Sequence, residues 1–255
     1  MIALKQKGFT LVEIAIVLVV IGLLLGGILK GQQLINSARV RNLADQNSGV
    51  QAAYYGFVDR FRNVPGDMEA AKACTAIGKD VDPNCGSTPT IGGNGNGQID
   101  SIIEAGAVWS QMSVAGFLNG TYTGNTSTAA LYKTGVADGA VPSNAFQGPI
   151  MLAHMNDYIQ GNATSSIVRL AFSFGGLIPV PILRDLDQKV DDGIAGSGVM
   201  RSANEITSAG ANADFNTVVA WTSDGTATND CIDTSTTANW NVDSPNQSCN
   251  AVFLY

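Results

Sequence analysis

Glu13 is the only ionisable side chain between Phe9 and Leu29, in a run that is apolar apart from Thr10. A carboxylate within hydrocarbon costs about 2.5–3.5 kcal/mol on insertion scales, so one placed there reads as functional, in need of a cationic partner. Asp185, Asp187, Asp191 and Asp192 form a second acidic group. Four carboxylates so close in sequence repel one another unless water or a cation screens them. They are the candidate ligands of a structural calcium ion, set against a solvated acidic hairpin turn. Gly92–Asp100 loosely follows a calcium-loop spacing, but Gly92 stands where the first carboxylate belongs and Glu104 falls one residue late, so it reads as a tight glycine-rich turn. His154, the only histidine, has no serine elbow or free cysteine to work with and reads as structural. Gly196-Ser197-Gly198 lacks the downstream Gly-Lys of a phosphate loop. No catalytic constellation emerges, and the chain is not expected to be an enzyme.

The four cysteines are Cys74, Cys85, Cys231 and Cys249. Neither zinc-finger nor haem-attachment spacing is present. An even count in a membrane-translocated chain indicates two disulfides and an oxidising compartment. Three connectivities can be drawn; nearest-neighbour pairing, Cys74–Cys85 and Cys231–Cys249, is preferred. Each would close a short loop, worth about 3 kcal/mol in the chain-entropy model. The formal net charge is −7 over 255 residues. That balance argues against general nucleic-acid binding, which draws on Lys and Arg for phosphate contacts.

The elements that must hold these groups begin with the apolar run. As a helix it would rise about 30 Å, enough to cross a bilayer's hydrocarbon core. Helical spacing continues beyond Lys30, where Val40, Leu43, Val50, Tyr54, Phe57 and Phe61 draw one apolar stripe. Val64-Pro65-Gly66-Asp67 then stops the helix. A second helix is expected over 102–118. Strands are expected at 150–154, 167–174, 217–221 and 251–255. Segment 222–250 reads as a disulfide-pinned surface loop. Strands following helices indicate an α+β head, with an antiparallel sheet resting on the long helix.

Gly8-Phe9-Thr10-Leu11-Val12-Glu13, running into Ile14 to Gly22 behind Lys5 and Lys7, resembles the N-terminal signature of type IV pilins and pseudopilins. The resemblance covers about the first thirty residues. It implies cleavage after Gly8 by a membrane-embedded prepilin peptidase and N-methylation of the new terminal residue, Phe9. It also implies a pilin-like fold and a homopolymer in which Glu13 pairs with the Phe9 amine of a neighbouring subunit. The expected organisation is a leader at 1–8, a transmembrane and filament-core helix at 9–30, its amphipathic half at 31–62 and a globular head at 63–255. Before assembly the chain would sit in the inner membrane, in contact with lipid, with its head in the periplasm. Inner-membrane pilus assembly machinery would then extract it into an extracellular filament. A type II secretion pseudopilin shares the same signature. A minor tip pilin is a further alternative, binding a surface, sugar or DNA through the Cys231–Cys249 loop and its Trp240.

Overall fold

Helix α1 (Leu11–Phe61) spans 51 residues, because nothing within it breaks an α-helix: it contains no proline, and its glycines stand singly or as one pair. In this computed structural model residues 10–159, 167–203, 231–233, 238–244 and 249–255 are described. They fall into two compact units, one ending at Arg39 and one beginning at Val40. In the first unit the apolar side chains lie open on every side of α1, from Leu11 at 91% exposure to Leu29 at 67%. Among the described residues this is the one helix long and apolar enough to cross a membrane.

Within the second unit α1 changes character. It buries Val40, Leu43, Asn47, Val50, Ala53, Tyr54 and Phe57, the face anticipated from spacing, with Phe61 packed at its margin. The helix ends where Arg62 takes a positive φ of 53° and the chain enters a Pro-Gly turn. Gly66 is required there. Its φ is 88°, a Cβ would strike the Glu104 carbonyl and the Val108 side chain, and its N–H donates to Gln111 Oε1 at 2.7 Å.

Gln111 belongs to α3 (Ile102–Val114), which is buried almost throughout its length. Ser101 caps α3 in a reciprocal box with Glu104, each side chain accepting the other residue's N–H. The helix stops short of the expected Leu118 because Gly116 turns left-handed, at φ 83°, and the Phe117 N–H closes back on the Met112 carbonyl at 2.9 Å. The short α2 (Ala70–Ala76) carries Cys74, bonded to Cys85. Between these two cysteines in the chain, buried Asp82 accepts the N–H groups of Asn84, Thr90 and Ile91. Burial alone would raise its pKa, but the amides together hold it below the usual value. Another short helix, α4 (Ala129–Thr134), presents Tyr132, whose hydroxyl donates to the Ile150 carbonyl and accepts from the Trp109 indole.

The sheet is antiparallel, in the order β1-β2-β6-β3. Its strands are β1 (Met151–Met155), β2 (Arg169–Ser173), β3 (Met200–Ser202) and β6 (Ala251–Leu254). The C-terminal strand β6 is thus central, with Phe253 opposite both Phe172 and Met200. Tyr255 follows it and donates its hydroxyl to Asn47 Oδ1 at 2.9 Å, joining the chain's last residue to the buried stripe of α1. A second, two-stranded sheet pairs β4 (Ile232–Asp233) with β5 (Asn239–Trp240), and Cys231 beside it is bonded to Cys249. The result is an α+β pilin-type architecture with two disulfides.

Several elements differ from the expectations. Residues 180–190 form helix α5 (Val180–Val190) rather than an acidic turn. Proline at its start suits a helix N-terminus, and Ile182, Leu183 and Leu186 recur at helical spacing into the core. Strand β3 and helices α2 and α4 are too short to leave a periodic signal. The strand expected at 217–221 and most of the loop at 222–250 lie outside the described residues.

Asp157, just beyond β1, is fully buried, and neither carboxylate oxygen has a hydrogen-bond partner. Burial pushes its pKa up to about 7 from 3.8. The folded state therefore holds a proton that the unfolded chain releases near pH 4. This contribution is fully present below pH 4 and is lost as pH rises towards 7, at most about 4 kcal/mol. Asp157→Asn in the detergent-solubilised chain should melt with wild type at pH 4 and above it at pH 8. Parallel Tm curves across that range would refute the assignment.

Candidate functional site

Thr10 and Glu13 close a capping box at the start of α1. The Thr10 N–H and hydroxyl both donate to Glu13 Oε2 at 2.8 Å, and the Glu13 N–H donates to Thr10 Oγ1 at 3.3 Å. A helix entering an apolar medium has N–H groups that lipid cannot satisfy, and this box satisfies two of them locally. The Thr-x-x-Glu spacing before an apolar run was the available signal for it, and the role of Thr10 was missed in the sequence. The described residues send no hydrogen bond to Glu13 Oε1, which leaves that oxygen open to an external cation. Gly8 and Phe9 lie outside the described residues.

The acidic group of the head is built differently from the expectation. Asp185 and Asp187 both lie on α5, and residues two apart on a helix point to different faces. Asp185 is exposed and stands outside the group, whereas oxygens of Asp187, Asp191 and Asp192 all lie within 4.8 Å of one another. Asp191 ends α5 and accepts the N–H groups of Val199 and Met200, which fixes the entry to β3. Asp192 Oδ1 accepts from the Ile194 N–H at 2.8 Å, and its Oδ2 from the Ser197 hydroxyl at 2.6 Å. Asp187 is fully buried. Its Oδ2 accepts the Trp240 indole N–H at 2.7 Å, while Oδ1 has no hydrogen-bond partner. Burial raises the Asp187 pKa to about 6, opposed by the Trp240 indole and the Gly193 backbone N–H and aided by a lesser push from Asp192 and Asp191.

Trp240 is therefore committed. It is 5% exposed and anchors the β4–β5 hairpin on α5. Only its margin reaches a cleft of about 310 Å³ that Arg184, Gln188 and Asn239 also line. The glycine-rich loop is organised by protein carboxylates. Asp67 accepts from the N–H groups of Gly95, Asn96 and Gly97, and Glu104 from those of Asn94, Asp100 and Ser101. Glu104, the residue one place late for a calcium loop, serves α3 as its capping residue. Burial raises its pKa, aided by the neighbouring Asp100 charge. His154 accepts the Ile99 N–H on Nδ1 at 2.9 Å and donates its own backbone N–H to the Ile99 carbonyl at 2.8 Å. Burial lowers its pKa against the opposing charges of Asp100 and Asp67. It joins β1 to the loop.

Residues 4–29 match the prokaryotic N-terminal methylation motif. No curated protein and no solved structure matches the chain. The matched segment contains the capped start of α1, Glu13 and the exposed apolar span, and its signature implies prepilin-peptidase processing and assembly into filaments. With that motif ahead of an antiparallel head closed by two disulfides, the chain carries the type IV pilin signature and is similar in its N-terminal segment to type IV pilins and pseudopilins.

Proposed function

We propose that the chain is a structural subunit of an extracellular type IV pilus-like filament, and not an enzyme. The observation that carries this reading is the first part of α1, apolar on every side and open in the isolated chain, with one carboxylate at its capped end. Such a surface is stable in lipid or against copies of itself. Before assembly it anchors the chain in the inner membrane, with the disulfide-bonded head in the periplasm. On extraction by the assembly machinery the helices bundle, which keeps that surface out of the water outside the membrane, where each exposed square ångström would cost about 25 cal/mol. Prepilin peptidase first cuts after Gly8, and methylation of the Phe9 amine keeps its positive charge.

Glu13 sets the offset between neighbours. One oxygen caps its own helix, and the other receives the Phe9 ammonium of the adjacent subunit. A buried ion pair of this kind matters chiefly for register, because an unpaired carboxylate in the core is more costly than either partner's desolvation when paired. The large disulfide-pinned head suits an exposed filament surface.

Two measurements test this reading. Intact mass of the assembled protein should correspond to a chain beginning at Phe9 with one added methyl group; a chain retaining Met1 would sink it. Glu13→Val should leave cleavage, membrane insertion and head folding unchanged while sheared filament yield falls about tenfold or more, as expected for losing a charged hydrogen bond of about 1.5–3 kcal/mol. Wild-type filament yield from Glu13→Val would show that the carboxylate does not set the register.

A further inference from the structure

We propose that Asp187, Asp191 and Asp192 bind one calcium ion that clamps the C-terminal disulfide hairpin to the end of α5. Two independent observations meet at this place. The first is the convergence of three carboxylates, whose ligand oxygens lie within 4.8 Å of one another. Among the described residues no Lys or Arg pairs with any of the three. The second is the orphaned oxygen of Asp187. That side chain is wholly buried, yet Oδ1 accepts no hydrogen bond, and its carboxylate is one of the three that converge. Burying a carboxylate oxygen without a partner is costly, and a cation is the partner that three carboxylates can share.

The donor set favours calcium. Calcium takes a flexible shell of about six to eight oxygens, carboxylates and water together, whereas magnesium demands near-ideal octahedral geometry and gives up its water reluctantly. The carboxylates are also held in place before any ion arrives. The amides of Val199 and Met200 fix Asp191, the Ile194 amide and the Ser197 hydroxyl fix Asp192, and the Trp240 indole fixes Asp187. These same contacts reach three separate parts of the head: the end of α5, the approach to β3, and β5 beside the Cys231–Cys249 bridge. An ion held by the three carboxylates would tie these parts together. Water completes its shell on the exposed Asp192 side.

The test uses the full chain in detergent, stripped with a chelator and titrated calorimetrically with calcium chloride alone. One ion per chain is expected, with a Tm higher by a few degrees in millimolar calcium than in chelator. Asp192→Asn should weaken binding by about tenfold or more. Asp185→Asn, on the other face of α5, should bind as wild type does. Ser197→Ala removes the same turn hydrogen bond from Asp192 but keeps the carboxylate, so it should also retain wild-type affinity and separates loss of a ligand from loss of the turn. Absence of calcium binding at millimolar concentration would overturn the proposal. So would equal losses in Asp185→Asn and Asp192→Asn, or a Ser197→Ala loss as large as that of Asp192→Asn.

Discussion

One helix has to satisfy two environments, and the rest of the molecule follows from that. Over its first part α1 offers aliphatic side chains in every direction, so no single face can be covered by a sheet or a second helix. Only lipid or a bundle of like helices surrounds it fully. Further along, the apolar residues contract to one stripe, Val40 to Phe57, which a single layer of protein can cover. The change of pattern explains why the compact head begins near Val40 although the helix runs through without a break. Backbone hydrogen bonding favours this continuity. Ending the helix where the solvent changes would expose four N–H and four C=O groups at the worst possible depth.

The stripe in turn organises the head. Phe57 packs edge-on to Phe117 beyond α3, and Tyr255 reaches Asn47 from the end of the central strand β6. Strand β6 is thus drawn to one helix face, and it pairs with both β2 and β3, each far from it in sequence. Such long-range pairing folds slowly. A disulfide that holds Cys231 to Cys249, immediately before β6, shortens the search for that last strand.

Legibility in the sequence followed the length over which a physical signal repeats. The long helix was readable because its apolar pattern persists over many turns, and the stripe from Val40 to Phe57 was readable for the same reason. Strands β1, β2 and β6 announced themselves as short apolar runs between turn residues. Helix α5 did not. Its Asp185, Asp187 and Lys189 look like a solvated loop, and the competing signal, Ile182, Leu183 and Leu186 after two prolines around Val180, is brief. Reading a loop there placed Asp185 with Asp187, whereas a helix separates them by two positions and turns one into the core. The capping boxes at Thr10 and Ser101 were legible from spacing alone, but each acidic partner, Glu13 and Glu104, was weighed for a different role.

Those two glutamates point to a wider rule in this acidic chain. Its buried or half-buried carboxylates serve mainly as acceptors for backbone N–H groups where the chain turns. Asp67 gathers three amides of the glycine loop, Asp82 three between Cys74 and α3, and Glu104 three at the head of α3. A carboxylate suits this task because one side chain accepts several donors, and glycine-rich loops have many donors and no side chains to meet them. Against that background Asp157 and Asp187 stand apart, since each keeps a buried oxygen with no donor. For Asp157, with no second carboxylate grouped beside it among the described residues, a proton is the simplest relief. Asp187 has two carboxylates beside it, and protonating one of three leaves the other two repelling each other. A shared divalent ion relieves all three at once, so like-charge crowding, rather than burial alone, separates a proton site from a metal site in this head.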